Sequence, residues 1–140
     1  MRRSVCGAIY LVAWPARFHR PDAGLGLSEI AQAHIRSLRD LTDRIDIFTC
    51  TPNNDLLDAL SANEAYYTAK PGIEYAVFFP DGGNVVLDTE AAAGNMIGVQ
   101  WLDIRKSAWL AVQMIEADKR LQLVTPKEEG YWAVIVKVAE

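Results

Sequence analysis

Residues Ile73–Thr89 read IEYAVFFPDGGNVVLDT, with two apolar runs, Tyr75–Phe79 and Val85–Leu87, on either side of Pro80-Asp81-Gly82-Gly83. Proline presets φ for the second residue of a turn. Aspartate tolerates the bridge and left-handed regions, and glycine takes positive φ at no steric cost. A turn closed by a left-handed glycine is a common three- to five-residue hairpin connection. The stretch therefore predicts a β-hairpin, and with it a pleated fold. It carries no chemistry of its own, and no catalytic constellation emerges elsewhere in the 140 residues.

Outward from this stretch the side-chain period stays close to 2. Candidate strands are Ala65–Ala69, Ile73–Phe79, Asn84–Thr89, Met96–Asp103, Ala108–Ile115, Arg120–Val124 and Tyr131–Val138. Short strands separated by turn signals are the mark of an antiparallel sandwich or barrel. Alternation places Ile97, Val99 and Trp101 on one face, and Trp132, Val134, Val136 and Val138 on one face. Trp101 and Trp132 ride with β-branched aliphatics and are assigned to the core. Along Ala108–Ile115 the apolar row is Ala108, Leu110, Val112 and Met114, which turns Trp109 the other way. Tyr131 likewise sits opposite Trp132.

Upstream, Val5–Trp14 (VCGAIYLVAW) is a continuous apolar run. That pattern suits a strand covered on both faces. Met1-Arg2-Arg3 ahead of it resembles the start of a secretory signal, but Trp14-Pro15-Ala16 is a poor cleavage site and the run is too short to span a bilayer. Pro15, Pro21, Gly24 and Gly26 then punctuate a loop. Ser28 offers an N-cap, with Glu29 in the first turn. Ile30, His34, Leu38, Leu41, Ile45 and Phe48 recur at helical spacing, which predicts a helix over Glu29–Asp43 with an apolar stripe reaching toward Phe48. Thr51–Asn63 reads as a polar connector with a short helical turn at Asp55–Ala59.

The expected architecture is mainly β: an antiparallel β-sandwich of about seven strands with an N-terminal strand–loop–helix appendage. The divisions fall at 1–50 for the appendage, 51–63 for the linker and 64–140 for the sandwich. Hydrophobic residues at 51% and charged residues at 23% fit a globular chain. A chain of this size buries about two-thirds of its unfolded surface. The net charge of −4 leaves no basic footprint, so nucleic acid is not an expected partner. Cys6 and Cys50 impose no disulfide framework and read as buried thiols. The compartment stays open.

Three segments carry a family resemblance. YAVFFPDGGNVVLD, VQWLDIRKSAW and GYWAVIV together resemble the C-terminal sandwich of a group of glycoside-hydrolase-like proteins, a sandwich that bears a collagen-binding label. In that group a catalytic (β/α)₈ barrel precedes the sandwich. RFHRPDAGLGL, the helix and RIDIFTCTPNNDLL look like the last strand–loop–helix of the barrel and its link. The chain departs from the pattern at Asp103–Trp109, where the family favours Pro and Gly in the turn. It also holds one βα unit, whereas a barrel needs roughly 200 residues or more. The resemblance therefore implies a fragment of such a protein: a non-catalytic C-terminal accessory module that buttresses the barrel and binds carbohydrate. The alternatives are a protein-interaction domain of the collagen-binding kind and a standalone hydrolase.

The chemical candidates are few. A glycosidase needs two carboxylates about 5 to 9.5 Å apart across the scissile bond, and no such pair stands out. The loop carrying Arg17, His19, Arg20 and Asp22 is a candidate cleft lining, because barrel active sites form where strands end. Its plainer reading is a charged surface loop. Gly24-Leu25-Gly26 before a helix start is a weak anion signal. His34, on the apolar stripe, reads as a hydrogen-bonded packing histidine. Two histidines fifteen positions apart do not make a zinc site, and neither metal nor cofactor is expected. Trp109, Tyr131, Tyr66 and Tyr67 form a candidate aromatic platform for sugar rings, weighed against burial under the helix. Without a barrel, Val5–Trp14 is expected to fold onto the sandwich or to pair with a second copy. Carbohydrate, the absent barrel and a second copy are thus the expected partners, and no membrane is.

Overall fold

The computed structural model describes residues 27–52, 57–58 and 65–139. Helix α1 spans Glu29–Arg44. The strands are β1 (Thr51–Pro52), β2 (Leu57–Asp58), β3 (Tyr66–Lys70), β4 (Glu74–Phe79), β5 (Asn84–Asp88), β6 (Met96–Asp103), β7 (Ala108–Trp109), β8 (Gln113–Glu116), β9 (Arg120–Val124) and β10 (Trp132–Val138). They form an antiparallel β-sandwich. The larger sheet runs β1-β3-β4-β10-β6-β7, with β8 also paired to β6, and the smaller runs β2-β5-β9.

The sandwich core lies between the sheets. Tyr75, Val77 and Phe79 of β4, Ile97, Val99 and Trp101 of β6, and Trp132, Val134 and Val136 of β10 face Val85 and Leu87 of β5 and Leu123 of β9. Trp101 and Trp132 meet edge to face at 6.5 Å, a favoured geometry for aromatic quadrupoles. Both expected faces of β6 and β10 hold.

The Pro80–Gly83 turn is not a hairpin. β4 pairs with β3 and β10, while β5 pairs with β2 and β9 in the other sheet. The turn carries the chain across the sandwich, because both edges of β4 are already occupied. Its glycines do what the turn chemistry requires, with φ of 69° at Gly82 and 129° at Gly83. Gly83 N–H donates to Thr125 Oγ1 at 3.0 Å, and Thr125 N–H donates to Gly83 O at 3.0 Å. The actual hairpin joins β3 to β4. There Ile73 N–H donates to Lys70 O across Pro71-Gly72, with Gly72 at φ 78°, and the Tyr75 hydroxyl accepts from Gly72 N–H at 2.8 Å.

Helix α1 follows its expected start. Ser28 Oγ accepts from Ala31 N–H at 3.2 Å, and Glu29 and Arg44 place their charges to suit the dipole. The buried side is Ala33, Ser37, Leu41 and Ile45, flanked by Leu38. Ile30 and Phe48, assigned to the stripe, are instead 66% and 91% exposed. Beyond Ile45 the chain leaves helical geometry, so the 3.6 rhythm no longer sets directions: Asp46 Oδ1 accepts from Phe48 N–H in a tight turn. The described part of the predicted turn at Asp55–Ala59 is strand, since Leu57 pairs with Leu87 and buries itself in the core.

The helix packs on the outer face of the larger sheet. Leu41, Ile45 and Ile47 meet Ala76 of β4, Leu102 of β6, Ala133 and Ile135 of β10, and Ile104, forming a second core. The central strands are thus covered on both sides.

The predicted strand Ala108–Ile115 breaks in two. Asp103 faces Ala108 and Leu102 faces Trp109, but Val99 faces Gln113 and Gly98 faces Met114, so one extra residue enters between β7 and β8. A one-residue slip moves side chains to the other face. Trp109 and Met114 therefore share the outer face, and the expected core row becomes surface, with Leu110, Val112 and Met114 exposed at 40%, 53% and 52%.

Candidate functional site

Arg17, His19, Arg20, Asp22, the Gly24-Leu25-Gly26 motif and Val5–Trp14 lie outside the described residues. The four platform aromatics are described, and they do not form one cluster. Tyr67 is in the sandwich core at 4% exposure, where burial, followed by neighbouring Tyr75, Asp88 and Cys50, raises its hydroxyl pKa well above the ordinary value. Tyr66 and Trp109 stand at opposite rims of the outer face, with Phe78, Ala133 and Leu102 successively paired between them. Tyr66 stacks on Phe78 at 6.4 Å. Tyr131 sits beneath the Arg105 guanidinium at 4.8 Å and meets His34 edge to face at 5.8 Å.

His34 packs as expected, but its hydrogen bond is missing. Nε2 is buried with no partner among the described residues. A gap of about 10 Å³ lined by His34, Ser37, Leu38, Leu41, Leu102 and Ile104 lies beside it, at the lower limit for one water. Burial first, and the nearby Arg105 charge second, lower its pKa below 6.5. What anchors the helix polar-wise is Ser37, buried, whose hydroxyl donates to Ile104 O at 2.9 Å. Cys50 is half-buried against the same core.

A groove of about 300 Å³ opens where α1 ends. Gly98 and Gln100 of β6, Ile135 and Lys137 of β10, Asp43 and Arg44 of the helix end, and Val112 line it. The sequence reading missed it, since it arises from the slip between β7 and β8 and from a helix laid on a sheet. Three of its polar side chains hold partners. Arg44 Nη1 donates to Gln100 Oε1 at 2.8 Å, Gln100 Nε2 donates to Leu110 O at 3.0 Å, and Lys137 Nζ lies 3.3 Å from the Glu74 carboxylate. Arg44 also spreads over the Trp109 ring. Among the described residues lining the groove, Asp43 is the sole carboxylate, so no acid–base pair spans it. No group of three or more His, Cys, Asp and Glu among the described residues could hold a metal, and no described helix is long and apolar enough to cross a membrane.

No protein-family model and no curated protein matches this chain. Among solved structures it is similar to a glycoside hydrolase, with a TM-score of 0.63 and 12% identity over 74% of this chain and 24% of that one. It is also similar to a glycoside hydrolase family 5 protein from Bacteroides vulgatus ATCC 8482, with a TM-score of 0.66 and 12% identity over 78% of this chain and 24% of that one. The chain thus spans about a quarter of the length of these proteins, and the likeness is one of fold.

Proposed function

We propose that this chain is a non-catalytic accessory module of a glycoside-hydrolase-like protein, one that braces a catalytic domain carried elsewhere. The observation that carries this reading is the asymmetry of coverage: about three quarters of this chain aligns in fold with about a quarter of glycoside hydrolase chains. The described groove supports it, since its single carboxylate cannot supply both the acid and the base or nucleophile of glycoside cleavage. Within this reading carbohydrate contact is secondary. Of the aromatics singled out for it, Tyr67 is buried in the core and Tyr66 and Trp109 stand at opposite rims of the sheet, so a sugar would meet Tyr66 or Tyr131 singly rather than a shared platform.

The test is to present the purified chain with a panel of aryl-glycosides and, separately, to run it through gels cast with soluble polysaccharides. No turnover is expected. Turnover that survives repurification overturns the accessory reading. Retardation by one polysaccharide, relieved by Tyr131→Ala or Tyr66→Ala, would assign a ligand to the module.

A further inference from the structure

The groove at the end of α1 holds a fixed donor beside an unclaimed acceptor. Arg44 is exposed, yet its guanidinium is held from two directions: Nη1 donates to Gln100 Oε1 at 2.8 Å, and the group lies 4.2 Å over the Trp109 ring. Gln100 is fixed in turn, since its Nε2 donates to Leu110 O at 3.0 Å. An exposed arginine gives up rotamer freedom to be held this way. Gln100 takes one of its five N–H groups, and no described residue takes the others. Asp43, its neighbour on the helix, lines the same groove with an exposed carboxylate that has no partner among the described residues. Lys137 Nζ, 3.3 Å from the Glu74 carboxylate, keeps further donors. A side chain at Gly98 would narrow the groove, since a Cβ there would lie 3.3 Å from both Val112 Cγ1 and Met114 Sδ.

We propose that this groove binds a single neutral sugar unit. Such a site rests on the accessory-module reading for its supply of carbohydrate. One unit is the size that fits, because about 300 Å³ is the small end of ligand pockets, which run from about 300 to 1,000 Å³. The charges select a neutral guest. Arg44 and Lys137 are balanced by Asp43 and Glu74, so an uncharged ligand keeps the balance and a charged one upsets it. The hydrogen-bonding groups select hydroxyls. A carboxylate only accepts, while a guanidinium and an ammonium only donate. A guest that meets both must donate and accept from neighbouring positions, as the vicinal hydroxyls of a sugar ring do. Val112 and the bare backbone at Gly98 leave an apolar stretch for the C–H groups of the ring. Arg44 is ordered before any ligand arrives, so binding does not have to order it.

NMR titration of the full chain with glucose, galactose, mannose, xylose, arabinose and rhamnose tests this. At least one sugar is expected to shift the amides of Gly98, Gln100 and Lys137 and the Arg44 Nε–H saturably, with a Kd on the order of 1–10 mM. Asp43→Ala should weaken that binding at least about tenfold. It should not lower the denaturation midpoint, since no described residue loses a partner. Gln100→Leu, which unties Arg44, should weaken binding about threefold or more. Absence of groove shifts with all six sugars at about 100 mM, well above the expected Kd, overturns the site. So does undiminished binding in the folded Asp43→Ala variant, and so does tighter binding of glucosamine or glucuronate than of the best neutral sugar. Turnover of aryl-glycosides sinks the accessory reading, whereas a silent groove in a chain without turnover sinks this site alone.

Discussion

The guanidinium of Arg44 lies 4.2 Å above the indole of Trp109, joining the last turn of α1 to the rim of the larger sheet. Trp109 also packs against the helix-side core, and its Nε1 is buried with no partner among the described residues. The ring therefore contributes through area and its π-face, not through its N–H. Trp109→Ala should cost roughly 3 kcal/mol in urea unfolding. Trp109→Phe should cost under about 1 kcal/mol, because it keeps the ring and removes an unpaired donor.

Ser37 is the polar anchor of the helix. Its hydroxyl is buried and bonded to Ile104 O, a carbonyl whose other donor, Ser107 N–H, is distant at 3.4 Å. Ser37→Ala should lower stability by about 1 kcal/mol. Ser37→Val should cost more, since its two branches crowd the close approach of helix and sheet. Chemical denaturation of both variants checks the order.

His34 makes the helix–sheet contact sensitive to mild acid. Burial, and then Arg105, lower its pKa in the folded protein, so the unfolded chain binds the proton more readily. Stability is then complete above the unfolded value near 6.5 and falls as pH drops through the folded value. Between about pH 7.5 and 5.5 the parent should lose more of its denaturation midpoint than His34→Phe does. Equal losses would remove His34 as the cause.

Gly82 has no room for a side chain. A Cβ at this position would run into the Glu128 carbonyl oxygen, and φ is 69°. Gly82→Ala should destabilise by roughly 1–3 kcal/mol or more, combining a disfavoured backbone with displacement of the 125–130 loop. Gly94, at φ 82° with no neighbour within 4 Å of its Cβ position, should suffer only the backbone part. The difference between Gly94→Ala and Gly82→Ala in thermal unfolding isolates the steric share.

The strands and the inward faces of β6 and β10 were legible because alternation is a property of neighbouring residues. Pairing was not. Pro80-Asp81-Gly82-Gly83 reverses the chain in either case, and nothing local says whether the next strand lies alongside or across the core. The Lys70-Pro71-Gly72-Ile73 turn, with proline and glycine at the positions a type II turn favours, held the true hairpin signal.

The helix-covered face also left a trace that alternation obscured. In β10, Ala133 and Ile135 are as apolar as Trp132, Val134 and Val136, and in β4 nearly every residue is buried. Continuous apolar strands signal cover on both sides, and applied to AVIV that rule points to a partner layer. The groove was beyond reach. It depends on one inserted residue between Trp109 and Gln113, which periodicity counts straight through. Phe48 shows the opposite failure: a helical rhythm was extended past the last helical residue, so Phe48→Ser should shift stability by less than about 0.5 kcal/mol, where Ile45→Ala should cost about 2–5.

Because α1 lies on the sheet, anyone excising the sandwich for separate study faces a choice of where to cut. A piece starting at Ala65 would strip the cover from Ala76, Leu102, Ala133 and Ile135 and leave a greasy slab in solvent, prone to clump during expression. A piece that keeps this cover begins before Ser28.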